Sequence, residues 1–356
     1  MTLSETSSNR PRVVVVAGSG RSGTSTVAGV LKMLGLHIPQ PEVPGDKTNP
    51  RGFFEPQWAV RFQSRLLRRA SVLLTDSRPQ GFTRTEEIGR RDEVVGEAGA
   101  WLREHLESVG KPGGDGDVEL IVKDPRNSWF LPMWRRAATD AGADVAFLTM
   151  LRHPAEVVGS KTKYYKAAST GETPRHAQTT RVASWINVAL FSEAGTRDAD
   201  RSFVLYNDLL DDWRAVMKRA LTELGLRERE LTEEIQDEVD GFVDPGLRRV
   251  RTEWAEIECP EDVRELAQEV WEQLCVLAER GGFDDDAQAR LDAARERYTS
   301  MYADAEALAQ SSADAARREG AREARRKAAR EQRKQVAPQP STLERIRGAL
   351  RPRARR

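Results

Sequence analysis

Cysteine is almost missing from this 356-residue chain. Cys259 and Cys275 are the only two, and neither stands in a CxxC or Cys/His cluster, so a disulfide framework or a structural zinc site has no support. Histidine is scarce as well: His37, His105, His153 and His176 are scattered without ligand spacing, and no metal is expected. No apolar run approaches the roughly 18 to 20 residues that cross a bilayer, and residues 1–12 are polar with no apolar signal core. A cytoplasmic protein is therefore the expectation.

Net charge is absent too, with 56 Lys and Arg against 56 Asp and Glu, but the balance conceals an asymmetry. From Arg317 to the C-terminus there are 15 basic residues and 4 acidic ones, so the tail is strongly basic and the body correspondingly acidic. What the chain does have is length and 39% hydrophobic residues, enough to bury a full core in one large domain with an appendage.

Residues 1–12 are a Ser/Thr/Asn-rich leader, expected to be disordered. Val13–Ala17 is a continuous run of the kind found in strands buried on both faces of a parallel sheet. A glycine-rich turn, GSGRSGTS (Gly18–Ser25), follows at once, and Thr26–Leu34 then has helical apolar spacing. Leu120–Val122, Ala146–Leu151 and Ser202–Tyr206 read as three more strands. Helical patterns cover Trp58–Ala70, Arg91–Val109, Arg181–Gly195 and Leu209–Leu224, the last closed by Gly225. Strands alternating with helices predict an α/β fold, a central parallel sheet flanked by helices. Beyond residue 284 the composition turns to Ala, Arg, Glu and Asp. A long charged helix is expected over 285–335, followed by a linker and a basic amphipathic tail over 336–356.

A glycine-rich turn between a buried strand and a helix presents unpaired backbone N–H groups and the positive end of the helix dipole, which suits a phosphate. Gly18, Gly20 and Gly23 let the backbone bend toward an anion, Ser22, Thr24, Ser25 and Thr26 add hydroxyls, and Arg21 adds charge. Gly18 and Gly23 have the separation of the GxxxxGK[ST] pattern, but Thr24 stands where an ATP-binding loop has its lysine. A GxGxxG dinucleotide fingerprint fits poorly, because no acidic residue ends a second strand about 20 positions on.

A second segment, LRHPAEVVGS (Leu151–Ser160), leaves a strand and enters a helix after Pro154, so that Arg152 and Ser160 can converge on one anion. Together the two segments resemble the sulfotransferases that use 3′-phosphoadenosine 5′-phosphosulfate (PAPS), in which a GxxRSGT[ST] loop and a later Arg with a Ser eight residues on bind the donor. The resemblance covers about residues 13–250, with weaker matches in NPRGFFEP (Asn49–Pro56), VKDPRNSWFLPMW (Val122–Trp134) and FVLYNDLL (Phe203–Leu210). It is closest to bacterial members, which have Arg rather than Lys in the first loop.

The resemblance implies a P-loop NTPase-like sulfotransferase domain over 13–284. In it, Arg21 contacts the bridging or sulfuryl oxygens, Gly20 and Ser22–Thr26 wrap the 5′-phosphate, and Arg152 and Ser160 hold the 3′-phosphate. Tyr206 matches a tyrosine near the adenine. PAPS is then the sulfuryl donor and PAP the product, with a hydroxyl or amine as acceptor: a glycan, a lipid or lipid-linked molecule, a small metabolite and a protein tyrosine all stay open, a carbohydrate or glycoconjugate being preferred by analogy. In cytosolic members a histidine two residues after the strand-end lysine is the general base. Here that lysine is Lys123 and the position holds Pro125, so the base is Glu55 or Asp124. Glu55 is preferred, because flanking Phe53, Phe54 and Pro56 can desolvate its carboxylate. Lys123 can stabilise the leaving phosphate, and Arg126 can bind an acidic acceptor. Asp124 has the plainer alternative of orienting Lys123 or Arg126 by a salt bridge.

Bland readings accompany the other features. Trp58, Trp129, Trp134 and Trp185 read as core residues rather than sugar-stacking platforms. Tyr164 and Tyr165, set among Lys161, Lys163 and Lys166, form either an acceptor-cleft cluster or a solvated helix face. Arg248 and Arg249 are candidates for closing over the nucleotide. The basic tail lacks interleaved aromatics, so no nucleic-acid partner is expected, while Ile346 and Leu350 on one face leave contact with a membrane surface or an acidic partner open. Two alternatives stand beside the transferase: a degenerate P-loop kinase or NTPase, and a non-catalytic nucleotide-binding scaffold.

Overall fold

The structure is a computed structural model and describes residues 10–47, 49–110, 118–164, 173–244, 246 and 251–336. The chain divides into two compact units, Met1–Ser300 and Met301–Arg356.

The first unit is built on four parallel strands: β1 (Arg12–Ala17), β2 (Glu119–Lys123), β3 (Asp144–Leu151) and β4 (Asp200–Leu205), in the order β2-β1-β3-β4. Successive strand residues point to opposite faces, and here both faces are covered, which is why the strand sequences are continuous β-branched runs instead of alternating ones. Val13 and Val15 face a cluster formed with α2 (Gln57–Ala70), α4 (Asp92–Val109) and α5 (Leu131–Asp140). Val14 and Val16 face α1 (Thr24–Met33), α9 (Trp213–Glu223) and α10 (Glu233–Phe242) on the other side. All four valines are fully buried, each contributing about 1.5–3 kcal/mol by area. The remaining helices of this unit are α3 (Gln80–Gly89), α6 (Pro154–Tyr164), α7 (Pro174–Ala194), α8 (Tyr206–Asp211) and α11 (Glu261–Glu279).

The predicted parallel α/β architecture is the observed one, with differences at element ends. Arg12 opens β1, one residue inside the expected leader, because its guanidinium is held by Asp200 Oδ2 at 2.6 Å and the Leu224 carbonyl; residues 1–9 lie outside the described residues. The single helix expected over Leu209–Leu224 is two. Asp212 breaks it, its Oδ1 accepting from Ala215 N at 3.1 Å and capping α9. α7 begins well before Arg181, at Pro174, with Thr173 accepting from His176 N and proline at the first helical position.

The charged helix, α12, runs Asp285–Val336 and its opening turns lie in the first unit. There Ala287, Leu291, Ala294 and Tyr298 are buried at helical spacing. In the second unit the side chains from 303 to 332 are almost all exposed. The basic tail beyond Val336 lies outside the described residues. Among those described, no helix is long and apolar enough to cross a membrane.

Candidate functional site

Parallel register places the C-terminal ends of all four strands along one edge, where α/β sheets bind ligands. Ala17 ends β1, Lys123 ends β2, Leu151 ends β3 and Leu205 ends β4. Each is followed by a residue singled out from the sequence: Gly18, Asp124, Arg152 and Tyr206.

The turn after β1 is bent by sterics as well as by glycine. Gly18 (φ 129°) and Gly23 (φ 97°) have left-handed backbone, and a Cβ would come within 2.7 Å of the Met150 carbonyl oxygen at the first and 2.2 Å of Tyr206 Cδ2 at the second. Gly20 differs, since a Cβ there meets nothing within 4 Å. Arg21 adopts φ 76°, a strained value for a side-chain-bearing residue and a frequent sign of a functional turn. Ser22 closes the turn, donating from N and Oγ to the Ser19 carbonyl at 3.1 and 2.6 Å, and Gly18 N donates to Ser128 Oγ at 3.2 Å. α1 then starts with no side-chain cap on its first turn, the arrangement that leaves helix N–H groups for an anion.

Arg152 and Ser160, expected to face one anion, each meet Arg21 of the turn. Arg21 Nε donates to Ser160 Oγ at 3.2 Å, and Arg152 Nη1 lies 3.4 Å from the Arg21 carbonyl. Arg152 is buried, pairs through Nε with Glu156 Oε2 at 2.8 Å, and stacks 4.8 Å from the centroid of the Tyr206 ring. Tyr206 packs on Gly23 and hydrogen-bonds Thr26; burial raises its hydroxyl pKa, against the pull of Arg152. One further cation meets the loop: Lys161, buried beside Ser160, donates from Nζ to Ser19 Oγ at 3.2 Å.

At the other end of the turn, Lys123 Nζ donates to Ser25 Oγ at 3.2 Å, to the Phe53 carbonyl at 2.9 Å and to Glu55 Oε1 at 2.6 Å. Asn49 Nδ2 also reaches Ser25 Oγ, at 3.3 Å. Glu55 is buried, and the desolvation expected from its aromatic neighbours is answered by Lys123, so it is held as half of an ion pair. Phe54 turns away at φ 57° to meet Phe242 edge-on at 5.8 Å.

Asp124 sits differently. It is fully buried, its Oδ1 accepts from the Arg126 backbone and guanidinium at 3.0 and 2.8 Å, and its Oδ2 accepts from Gln63 Nε2 at 3.0 Å. It caps the short 3₁₀ helix Pro125–Trp129, as Asn127 Nδ2 ties the carbonyls of Val16 and Val122 together. Burial pushes the Asp124 carboxyl up to about 6, opposed by Arg126 and reinforced by Glu55. Of the two base candidates, Glu55 therefore stands at the glycine-rich turn, while Asp124 has both oxygens engaged by Arg126 and Gln63.

Three of the solved structures similar to this chain are sulfotransferases or sulfotransferase domains. The one from the Synechococcus PCC 7002 olefin synthase matches with a TM-score of 0.40 and 17% identity, over 80% of this chain and 99% of that one. A sulfotransferase of Mycobacterium tuberculosis H37Rv matches at 0.41 and 14%, over 74% and 76%. The sulfotransferase domain from the curacin biosynthetic pathway matches at 0.40 and 16%, over 74% and 98%. No protein-family model matches the chain, and no curated protein matches it in sequence.

The tryptophans are structural. Trp129, Trp134 and Trp185 are buried, and Trp58 stacks between Phe62 and Trp101 at 4.5 and 4.6 Å. Among the described residues no group of three His, Cys, Asp or Glu has the arrangement to hold a metal ion. Arg248, Arg249, Tyr165 and Lys166, and the side chains of Lys163 and Tyr164, lie outside the described residues. Asn49 and Ser128 are residues at this turn that the sequence did not single out, though each falls inside a quoted motif, and Lys161, read from the sequence as part of a basic-aromatic cluster, meets the turn instead.

Proposed function

We propose that the chain is a PAPS-dependent sulfotransferase acting on an acceptor hydroxyl or amine. The observation that carries this reading is Lys123, whose single ammonium bonds both a hydroxyl of the phosphate turn, Ser25, and a buried carboxylate, Glu55. Group transfer from an anhydride needs an anion cradle, a fixed positive charge and a base side by side, and here one lysine joins them.

The residues present fit such a donor. A glycine-bent turn at an uncapped helix N-terminus suits the 5′-phosphosulfate, held by Arg21 and Gly20 through Thr26. Arg152 and Ser160, brought together by way of Arg21, suit a 3′-phosphate. When bound, PAPS supplies an activated sulfuryl group. Lys123 contributes a positive charge that is already in place, so no reorganisation is required as negative charge builds up. Glu55 takes the proton from the attacking acceptor. Its Oε1 is occupied by Lys123, which leaves Oε2 for that proton. Asp124 keeps the start of the 3₁₀ helix, and with it Ser128 under the turn, in position. A carbohydrate hydroxyl is the acceptor to assay first.

Calorimetric titration with PAP, AMP and ATP with Mg²⁺, on wild type and Arg152→Ala, tests the donor. PAP is expected to bind far more tightly than AMP or ATP, and Arg152→Ala to weaken PAP by about 1.5–3 kcal/mol, roughly 10- to 150-fold. Stronger binding of ATP with Mg²⁺, or an unaffected Arg152→Ala, would return the chain to the kinase reading.

A further inference from the structure

Among the described residues, Lys161 is a buried cation with no ion-pair partner. It is 5% exposed, and Ser19 Oγ is its hydrogen-bond partner among the described residues. The charges around it are committed elsewhere or have the wrong sign. On its own helix Glu156 is engaged by Arg152 at 2.8 Å. Arg181, from α7, stands close enough to repel it and donates to Thr162 Oγ1. Arg21, from the phosphate turn, donates to Ser160 Oγ. On α11, which also packs on α6, Glu265 and Glu269 face Arg297. A buried ammonium without an anion is costly to keep, and proteins keep such groups where a ligand supplies the missing charge.

We infer that Lys161 and Ser19 form an additional anion subsite for the donor, in which the ammonium neutralises a phosphate or sulfuryl oxygen and remains protonated in the complex. This deepens the proposed donor reading and depends on it. Neither the P-loop pattern nor the Arg/Ser pair includes this lysine. It follows Ser160 directly in sequence, so one turn of α6 sets Ser160 against Arg21 and Lys161 against Ser19, two residues earlier in the same loop.

The proton gives the inference a readout of its own. Burial, with Arg181 adding to it, lowers the Lys161 pKa to about 8. Above that pH the ligand-free lysine is mostly neutral, and an anion that needs the ammonium must bring a proton in with it. By linkage, affinity should fall about tenfold from pH 7 to pH 9, with about half a proton taken up per ligand at pH 8. With a second pKa of about 6, phosphate monoesters are essentially dianionic at pH 8, so proton uptake measured there belongs to the protein.

The experiment is titration of PAP and of PAPS into wild type, Lys161→Met and Lys161→Arg at pH 7 and 9, in two buffers of different ionisation heat. Lys161→Met should bind about 10- to 100-fold more weakly at pH 7 and take up no proton. Lys161→Arg should bind well and lose the pH dependence, because its charge is permanent. Weakening of both ligands identifies a phosphate oxygen, and weakening of PAPS alone identifies the sulfuryl group. Ligand-free Lys161→Met should melt at or above the wild-type temperature, since a neutral side chain of similar length replaces an uncompensated charge, so weak binding cannot be put down to misfolding. Wild-type affinity and proton uptake in Lys161→Met overturn the inference and leave the donor reading standing. Absence of PAP and PAPS binding in the wild type removes both.

Discussion

Two buried cations in the first unit are treated in opposite ways. Arg201, on β4, is 1% exposed and has a carboxylate to balance its charge. Its Nη1 meets Glu193 Oε1 at 3.1 Å, its Nε meets the Gly282 carbonyl at 2.8 Å, and its guanidinium lies between Phe203 and Phe283. Glu193 is shared with Arg197, which Asp292 also holds at 2.8 Å, so two arginines face two carboxylates. Lys161 is nearly as deeply buried and has a hydroxyl. A charge balanced inside the fold fastens elements to one another, in this case β4, α7 and the start of α12. A charge with no ion-pair partner among the described residues, set at the glycine-rich turn, is the one we infer to meet a ligand.

The Glu55–Lys123 pair lies between these extremes, balanced like the first and placed like the second, and it gives the largest expected effect. Glu55→Gln should lower kcat by about 10²- to 10⁴-fold with PAP affinity retained, read by steady-state sulfation assays beside PAP titration. Equal losses in kcat and PAP affinity would make Glu55 a structural partner of Lys123 and merge the two classes. Glu193→Gln should act the other way, destabilising the fold by about 3–5 kcal/mol in chemical denaturation while the folded protein still binds PAP. A small stability loss there would show that the arginine network is solvated in practice. The smallest effect is expected at Tyr206→Phe, which keeps the ring over Gly23 and under Arg152 and gives up the hydrogen bond to Thr26, for about 0.5–1.5 kcal/mol in PAP binding.

The sheet and the phosphate turn were the most legible parts of the sequence, because their signals are local. Four successive valines can be buried on both faces only inside a parallel sheet, and Gly18 and Gly23 mark positions where a side chain would strike the backbone of β3 or the ring of Tyr206. Apolar periodicity misled at Asp212, where the spacing runs through a residue whose carboxylate prefers to cap. Burial of polar groups was the least legible feature. Among Lys163 and Lys166, Lys161 reads as part of a basic helix face; it is the packing of α7 and the turn around α6 that removes it from water. Asp124 and Glu55 look alike as carboxylates, and the partners that separate them, Gln63 and Lys123, come from other elements. Glu193 and Arg201 give no sequence signal at all, since each looks like an ordinary surface charge until β4 and α7 meet.

The opening turns of α12 bear on how the gene can be trimmed. Composition changes beyond residue 284, and a truncation placed there would seem to follow the natural seam. It would instead strip Ala287, Leu291, Ala294 and Tyr298 out of the core, and with Tyr298 the hydroxyl that sits at the carbonyls of Ser77 and Ala183. The seam of the compact unit falls after Ser300, a full helical stretch downstream of where the alphabet of residues changes. The shortest polypeptide that keeps the first unit whole therefore carries the first four turns of a helix that, by composition, belongs to its neighbour.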